Sequence, residues 1–188
     1  DATLIVVETD DGYKGLGASL GSPEVVVALV EFELGPAVVG EDPMFSEFIW
    51  EKMYNGSRWK PALERGNTKP QDGRRGVTLE AISGVDLAVW DVKAQIMGVP
   101  IYQALGAVRD NVRGYGSGGW APGEEAEAEM AGYAAKGFDA VKMRVVGGDG
   151  FSIKNAEVRI AAARRGIGPD VELMLDAHGA FAVSTAIQ

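Results

Sequence analysis

The stretch FDAVKMRVV, residues 138–146, is the one on which the fold turns. It is short, β-branched in part, and alternates apolar residues with Lys142 and Arg144, as a strand with two different faces does. GEEAEAEMAGYAAKG (123–137) lies before it, with acidic residues at the start and Lys136-Gly137 at the close, the charge order a helix macrodipole favours. SIKNAEVRIAAARRG (152–166) follows as a second helix, ending on Arg164-Arg165-Gly166, and VELMLD (171–176) as the next strand. VRGYGSGG (112–119) reads as a short strand in front of this series, and FAVSTAIQ (181–188) as the start of another helix. Strand, helix, strand, helix, strand is the signature of a parallel α/β sheet. Periodicity alone fits equally the first strands of a (β/α)₈ barrel and a small doubly wound sheet.

Working back towards the N-terminus, the rhythm is different. TLIVVETDDGYKGLGAS (3–19) reads as a hairpin turning at Asp10-Asp11-Gly12. Apolar residues then recur at helical spacing from Pro23 to about Val39, again from Asp42 to Tyr54, and over a long helix from about Thr78 to Met97. Gly98 and Pro100 stop that last helix. Between the second and third of these lies NGSRWKPALERGNTKPQDGRRG (55–76), aperiodic and rich in Gly, Pro and charge. A loop this long is expected to be functional or mobile, and residues 56–75 with Trp59 suit a lid over a site.

The chain has 188 residues, 46% of them hydrophobic, with 18 basic and 27 acidic side chains and a net charge of −9. Such a balance argues against nucleic acid as a partner, which needs a basic surface. It leaves room for a small anion in a locally positive site. There is no cysteine, hence no disulfide and no thiolate metal site. No apolar run reaches the roughly 18 residues of a membrane span. A soluble, cytoplasmic protein with no membrane partner is expected.

Chemistry is to be sought where parallel strands end, because their carboxyl ends carry the sites of α/β proteins. Residues i and i+2 of a strand share a face, so Lys142 and Arg144 share one, and Asp176 and His178 are expected to share one at the end of the next strand. His178 is the single histidine of the chain. Each residue also has a plain structural reading: a solvated edge for the two cations, a helix N-cap for Asp176, a structural histidine for His178. Their convergence on adjacent strand ends favours a common cavity, with Met143 pointing instead to the surrounding helices. GGDG (147–150) lacks the spacing of a phosphate loop, Ser117 and Ser184 lack a nucleophile elbow, and the tryptophans at 50, 59, 90 and 120 form no single stripe.

RRGVTLEAISGVDLAVWDVKAQIMGVPIYQALG (74–106), then VKMR, then LDAHG, resembles the mandelate racemase/muconate lactonizing enzyme branch of the enolase superfamily, over nearly the whole chain and in the family's order. The resemblance implies an α+β capping domain, residues 1–105, followed by the first strands of a TIM-like (β/α)₈ barrel, residues 106–188. A full barrel takes about 250 residues, so the chain is expected to be a fragment whose remaining barrel strands, and the start of whose capping domain, lie outside it. It also implies Mg²⁺ held by carboxylates at three successive strand ends, with Asp176 as the first ligand, and a small carboxylate substrate whose α-proton leaves to give an enediolate. Lys142 and Arg144 match a Lys-x-Lys motif whose second lysine is often the base. Arginine is a poor base, being effectively always protonated. Lys142 then carries the proton, or both residues only bind charge. Asp-x-His occurs in sugar-acid dehydratases of this branch, where the histidine is the general acid that expels the β-hydroxyl. The expected activity is therefore dehydration of a sugar acid to a 2-keto-3-deoxy acid. A racemase, epimerase or cycloisomerase is the alternative within the family, and a non-catalytic binding or structural protein the alternative outside it. A homo-oligomer is expected.

Overall fold

The computed structural model describes residues 2–56, 64, 75–148, 150 and 152–187. The chain forms two compact units, residues 1–108 and 109–188. No helix among the described residues is long and apolar enough to cross a membrane.

The first unit opens with the antiparallel strands β1 (Thr3–Glu8) and β2 (Lys14–Ser19), paired from Thr3↔Ser19 to Glu8↔Lys14. The turn falls where Asp-Gly places it: Gly12 has φ 86°, and its N–H donates to the Thr9 carbonyl at 2.9 Å. Next come α1 (Pro23–Leu29), a π-helical segment (Val30–Leu34) and α2 (Gly35–Val38), in place of the single helix expected from Pro23 to Val39. Pro36 supplies the reason, since a proline deep in an α-helix removes one hydrogen bond and collides with the carbonyl four residues back. The wider winding takes up that misfit, with Gly35 N–H bonding Val30 O. A short 3₁₀ turn (Pro43–Phe45), capped by the Asp42 side chain, leads into α3 (Ser46–Asn55). The proposed lid at 56–75 lies almost wholly outside the described residues.

The long helix α4 (Val77–Met97) is the backbone of this unit. Ala81, Ile82, Val85, Ala88, Val89 and Val92 recur at three- and four-residue spacing and are buried. Of these, Ala81, Ile82, Val85 and Val89 form one core with Ile5 of β1, Val26 of α1, and Ile49 and Met53 of α3. The helix ends as its sequence requires, on left-handed Gly98 (φ 67°), with Val99 N–H reaching back to Ala94 O at 3.1 Å. Strand β2 touches α4 with its backbone: a Cβ on Gly17 would stand 1.9 Å from Gly84 O, and one on Gly15 2.0 Å from Ala88 O. We expect Gly17→Ala to lower the unfolding free energy by about 2–3 kcal/mol, as overpacking against a rigid helix does. Urea denaturation of the variant measures it, and an unchanged midpoint would refute the close approach. A four-residue helix, α5 (Ile101–Ala104), follows Pro100.

The second unit is β3 (Gly116–Gly118), α6 (Ala126–Ala134), β4 (Ala140–Arg144), α7 (Ile153–Ile167), β5 (Glu172–Asp176) and α8 (Val183–Ile187). The sheet order is β3-β4-β5, all parallel. Val141 and Met143 of β4 are buried among Met130 of α6 and Ala163 and Ile167 of α7, so both helices cover the same face. Met143 points to the helices, as alternation demands. By register, the opposite face carries Ser117, Lys142, Arg144, Met174 and Asp176. Strand β3 is shorter than VRGYGSGG suggested, three residues in place of eight. This sequential winding is that of a barrel's first strands, and half of a doubly wound sheet shares it.

Candidate active site

Arg144 and Asp176 are paired in register at the carboxyl ends of β4 and β5, and Lys142 lies one pleat behind on the same face. The Lys142 ammonium donates to Asp176 Oδ2 at 3.0 Å, and both side chains are partly exposed. Asp176 Oδ1 accepts the backbone N–H of His178 at 2.9 Å. These two bonds, Lys142 first and the His178 N–H second, hold the Asp176 carboxyl below its ordinary value. The folded state thus gains stability from this carboxylate above that ordinary value, and loses it as pH falls through the depressed one.

The structure corrects how His178 reaches the site. Strand β5 ends at Asp176, and His178 stands in the turn beyond it with φ 47°, followed by Gly179 at φ 70°. Strand alternation therefore does not link the two side chains. The link is an Asx-type turn, in which the carboxylate fastens the N–H two residues on. A positive φ on a non-glycine residue is sparsely populated backbone and costs free energy. Here the cost is borne beside a carboxylate at a strand end, with the imidazole exposed.

Arg144 makes no ion pair with Asp176, its cross-strand neighbour. Its guanidinium carbon sits 4.4 Å from the ring centroid of Trp120, a cation–π contact, while the Lys142 ammonium lies 5.9 Å from the Tyr115 ring. The charge paired with Lys142 is thus a carboxylate. Trp120 is the residue the sequence reading passed over. It stands in the loop after β3, half exposed, and that loop is held by one side chain of α6. Glu129 accepts the N–H groups of Gly119 at 2.8 Å, Trp120 at 3.3 Å and Ala121 at 2.8 Å. A Gly-Gly-Trp following a parallel strand, with a glutamate on the next helix, was the available signal.

A parallel sheet with both helices on one face, and with an ion pair, a guanidinium and a histidine near its strand ends, defines an α/β scaffold with a candidate site at the strands' carboxyl ends. The comparisons make this specific. Residues 1–106 match the mandelate racemase/muconate lactonizing enzyme N-terminal domain, and residues 125–188 the enolase C-terminal domain-like family. The chain belongs to the mandelate racemase/muconate lactonizing enzyme family. It is 35% identical to D-galactarolactone cycloisomerase of Agrobacterium fabrum, an alignment covering 98% of this chain and 46% of that one. It is 32% identical to arabinonate dehydratase of Saccharolobus solfataricus, over 97% of this chain and 46% of that one. Among solved structures, a racemase from Streptomyces coelicolor A3(2) with bound magnesium superposes at a TM-score of 0.79 with 28% identity, covering 99% of this chain and 49% of that one. The chain spans a little under half the length of the curated relatives it matches. The TIM-like barrel is thereby the fold of which β3 to β5 are a part.

A divalent metal fits this family, and Asp176 offers it one anionic oxygen ligand of the hard kind that Mg²⁺ prefers. Each of its oxygens accepts a single hydrogen bond among the described residues, which leaves a further lone pair. Among the described residues no group of three or more His, Cys, Asp or Glu is arranged to hold an ion. Asp176 therefore fits as one ligand of a set and not as a complete site.

Proposed function

We propose that the protein of which this chain is a part removes the α-proton of a hydroxycarboxylate and dehydrates a sugar acid to a 2-keto-3-deoxy acid. The observation that carries this reading is the Lys142–Asp176 contact at neighbouring strand ends, with Arg144 on the same face and His178 tied to the same carboxylate. Arg144 receives the substrate's carboxylate, for which a planar guanidinium is well shaped. Lys142 is the proton carrier at the α-carbon. As an ammonium donating to Asp176 it binds charge, and it must be free of that proton to accept one from carbon. His178 protonates the β-hydroxyl, which departs as water, and the resulting enol becomes the 2-keto acid. Asp176 is one ligand of Mg²⁺, which when bound supplies positive charge where negative charge develops. The names of two relatives, an arabinonate dehydratase and a galactarolactone cycloisomerase, point to the same substrate class. The cycloisomerase favours a second reading, isomerisation through the same proton transfer.

The test is a panel of aldonic and aldaric acids offered to the complete protein with Mg²⁺, followed by keto-acid formation and by exchange of the α-proton with solvent deuterium. Keto acid from at least one acid is expected. Deuterium exchange with no keto acid would favour the isomerase, and neither would sink both readings.

A further inference from the structure

Arg159 of α7 is wholly buried, yet among the described residues its hydrogen-bond partners are four backbone carbonyls and no carboxylate. Nε donates to Ala121 O at 3.0 Å, Nη1 to Arg144 O at 3.1 Å and Val145 O at 2.7 Å, and Nη2 to Gly119 O. Burying an unpaired charge is costly, and an apolar side chain would fill the space at lower cost if packing were all that was needed. What a guanidinium does here, and an apolar chain cannot, is join two strand ends that have parted. The β3–β4 ladder stops at Gly118↔Met143, and the carbonyls beyond it lack sheet partners.

The residues so joined carry the site. Arg159 holds the carbonyl of Arg144 itself, and the carbonyls on either side of Trp120. Trp120's own carbonyl accepts Gly148 N–H at 3.0 Å, and Glu129 takes all three N–H groups of the segment. Every backbone polar group of residues 119–121 is thereby tied down. A glycine leaves space for the guanidinium: a Cβ on Gly147 would stand 2.3 Å from its Cζ.

We infer that Arg159 is a positioning residue: it fixes the backbone under Arg144 and Trp120, so that the aromatic ring holds the Arg144 guanidinium where a substrate carboxylate is bound. The inference rests on the carboxylate-binding role proposed above for Arg144. It acts through Arg144 and so differs from a merely structural role in one measurable way, non-additivity.

The experiment uses the complete protein and the acid that it turns over. Arg159→Met is expected to raise KM roughly tenfold or more, the worth of a misplaced charged hydrogen bond, with kcat changed much less. Arg159→Lys should recover part of the loss. In an Arg144→Met background, Arg159→Met should add nothing to KM. Trp120 emission, isolated by difference from Trp120→Phe, should become more open to acrylamide quenching in Arg159→Met, a readout that needs no turnover. Full additivity of the two substitutions in KM, or a lowered melting temperature with KM and quenching unchanged, would overturn the inference while leaving the dehydratase reading intact. If Arg159→Met does not fold, Trp120→Ala carries the test: it should raise KM in the wild-type background and not in Arg144→Met, and equal effects in both would overturn the inference.

Discussion

Asp176→Asn should abolish keto-acid formation and α-proton exchange together, each by about 10²–10³-fold or more, the worth of one electrostatic contact to developing charge. The substitution is nearly isosteric. An amide oxygen can still accept the His178 N–H, so the turn at 177–179 should persist. What disappears is the negative charge that Lys142 now faces and that a divalent ion needs as a ligand. Because the ion pair is partly exposed, its loss should cost little stability, and the melting temperature should stay near that of the parent protein. Titration with Mn²⁺, followed by water-proton relaxation, should show weakened binding in parallel. Retained turnover in Asp176→Asn would remove this carboxylate from the chemistry and return it to an ordinary turn-forming role.

How far the sequence reveals this molecule depends on which force sets each feature. Alternation in AVKMR placed Met143 among the helices and Lys142 and Arg144 on the other face, because a two-residue period leaves no third choice once one face is buried. The C-terminal end of α4 was equally legible, since Gly98 and Pro100 act through local backbone constraint. The π-helical segment at Val30–Leu34 was not. Apolar spacing continues across it, and only Pro36 betrays the misfit. Strand β3 was overestimated because its extent is set by pairing with β4, which runs only from Gly116 to Gly118 and leaves residues 112–115 outside the ladder.

Within the site, the candidate carboxylate and cations were visible as residue types, but their partners were not. Lys142 and Asp176 are 34 residues apart, and their contact follows only from register across the parallel pair. Arg159 was hidden for a different reason. In SIKNAEVRIAAARRG it reads as one more cation on a solvated face, whereas its position between Ala156 and Ala162–Ala163 puts it on the buried stripe. Small residues around a buried long one are the local trace of a side chain that must reach elsewhere. A cation in register with alanines at core spacing is thus worth treating as a connector.

His178→Asn should separate the two halves of the proposed reaction. Once the α-proton has left, the anion either regains a proton at carbon or loses its β-hydroxyl, and only the second route needs an acid beside the leaving oxygen. Imidazole suits that task at neutral pH, and asparagine cannot do it. The replacement is also gentle on the backbone. His178 sits at φ 47°, a conformation that asparagine tolerates better than most residues, and its N–H bond to Asp176 uses the main chain alone. Keto-acid formation should fall by about 10²–10⁴-fold, while exchange of the α-proton with solvent deuterium, driven from Lys142, continues and the melting temperature holds or rises slightly. Undiminished dehydration would make the imidazole a bystander held out by the turn. Loss of exchange along with dehydration, in a variant that still binds Mn²⁺, would instead make His178 the base and leave Lys142 as a fixed cation.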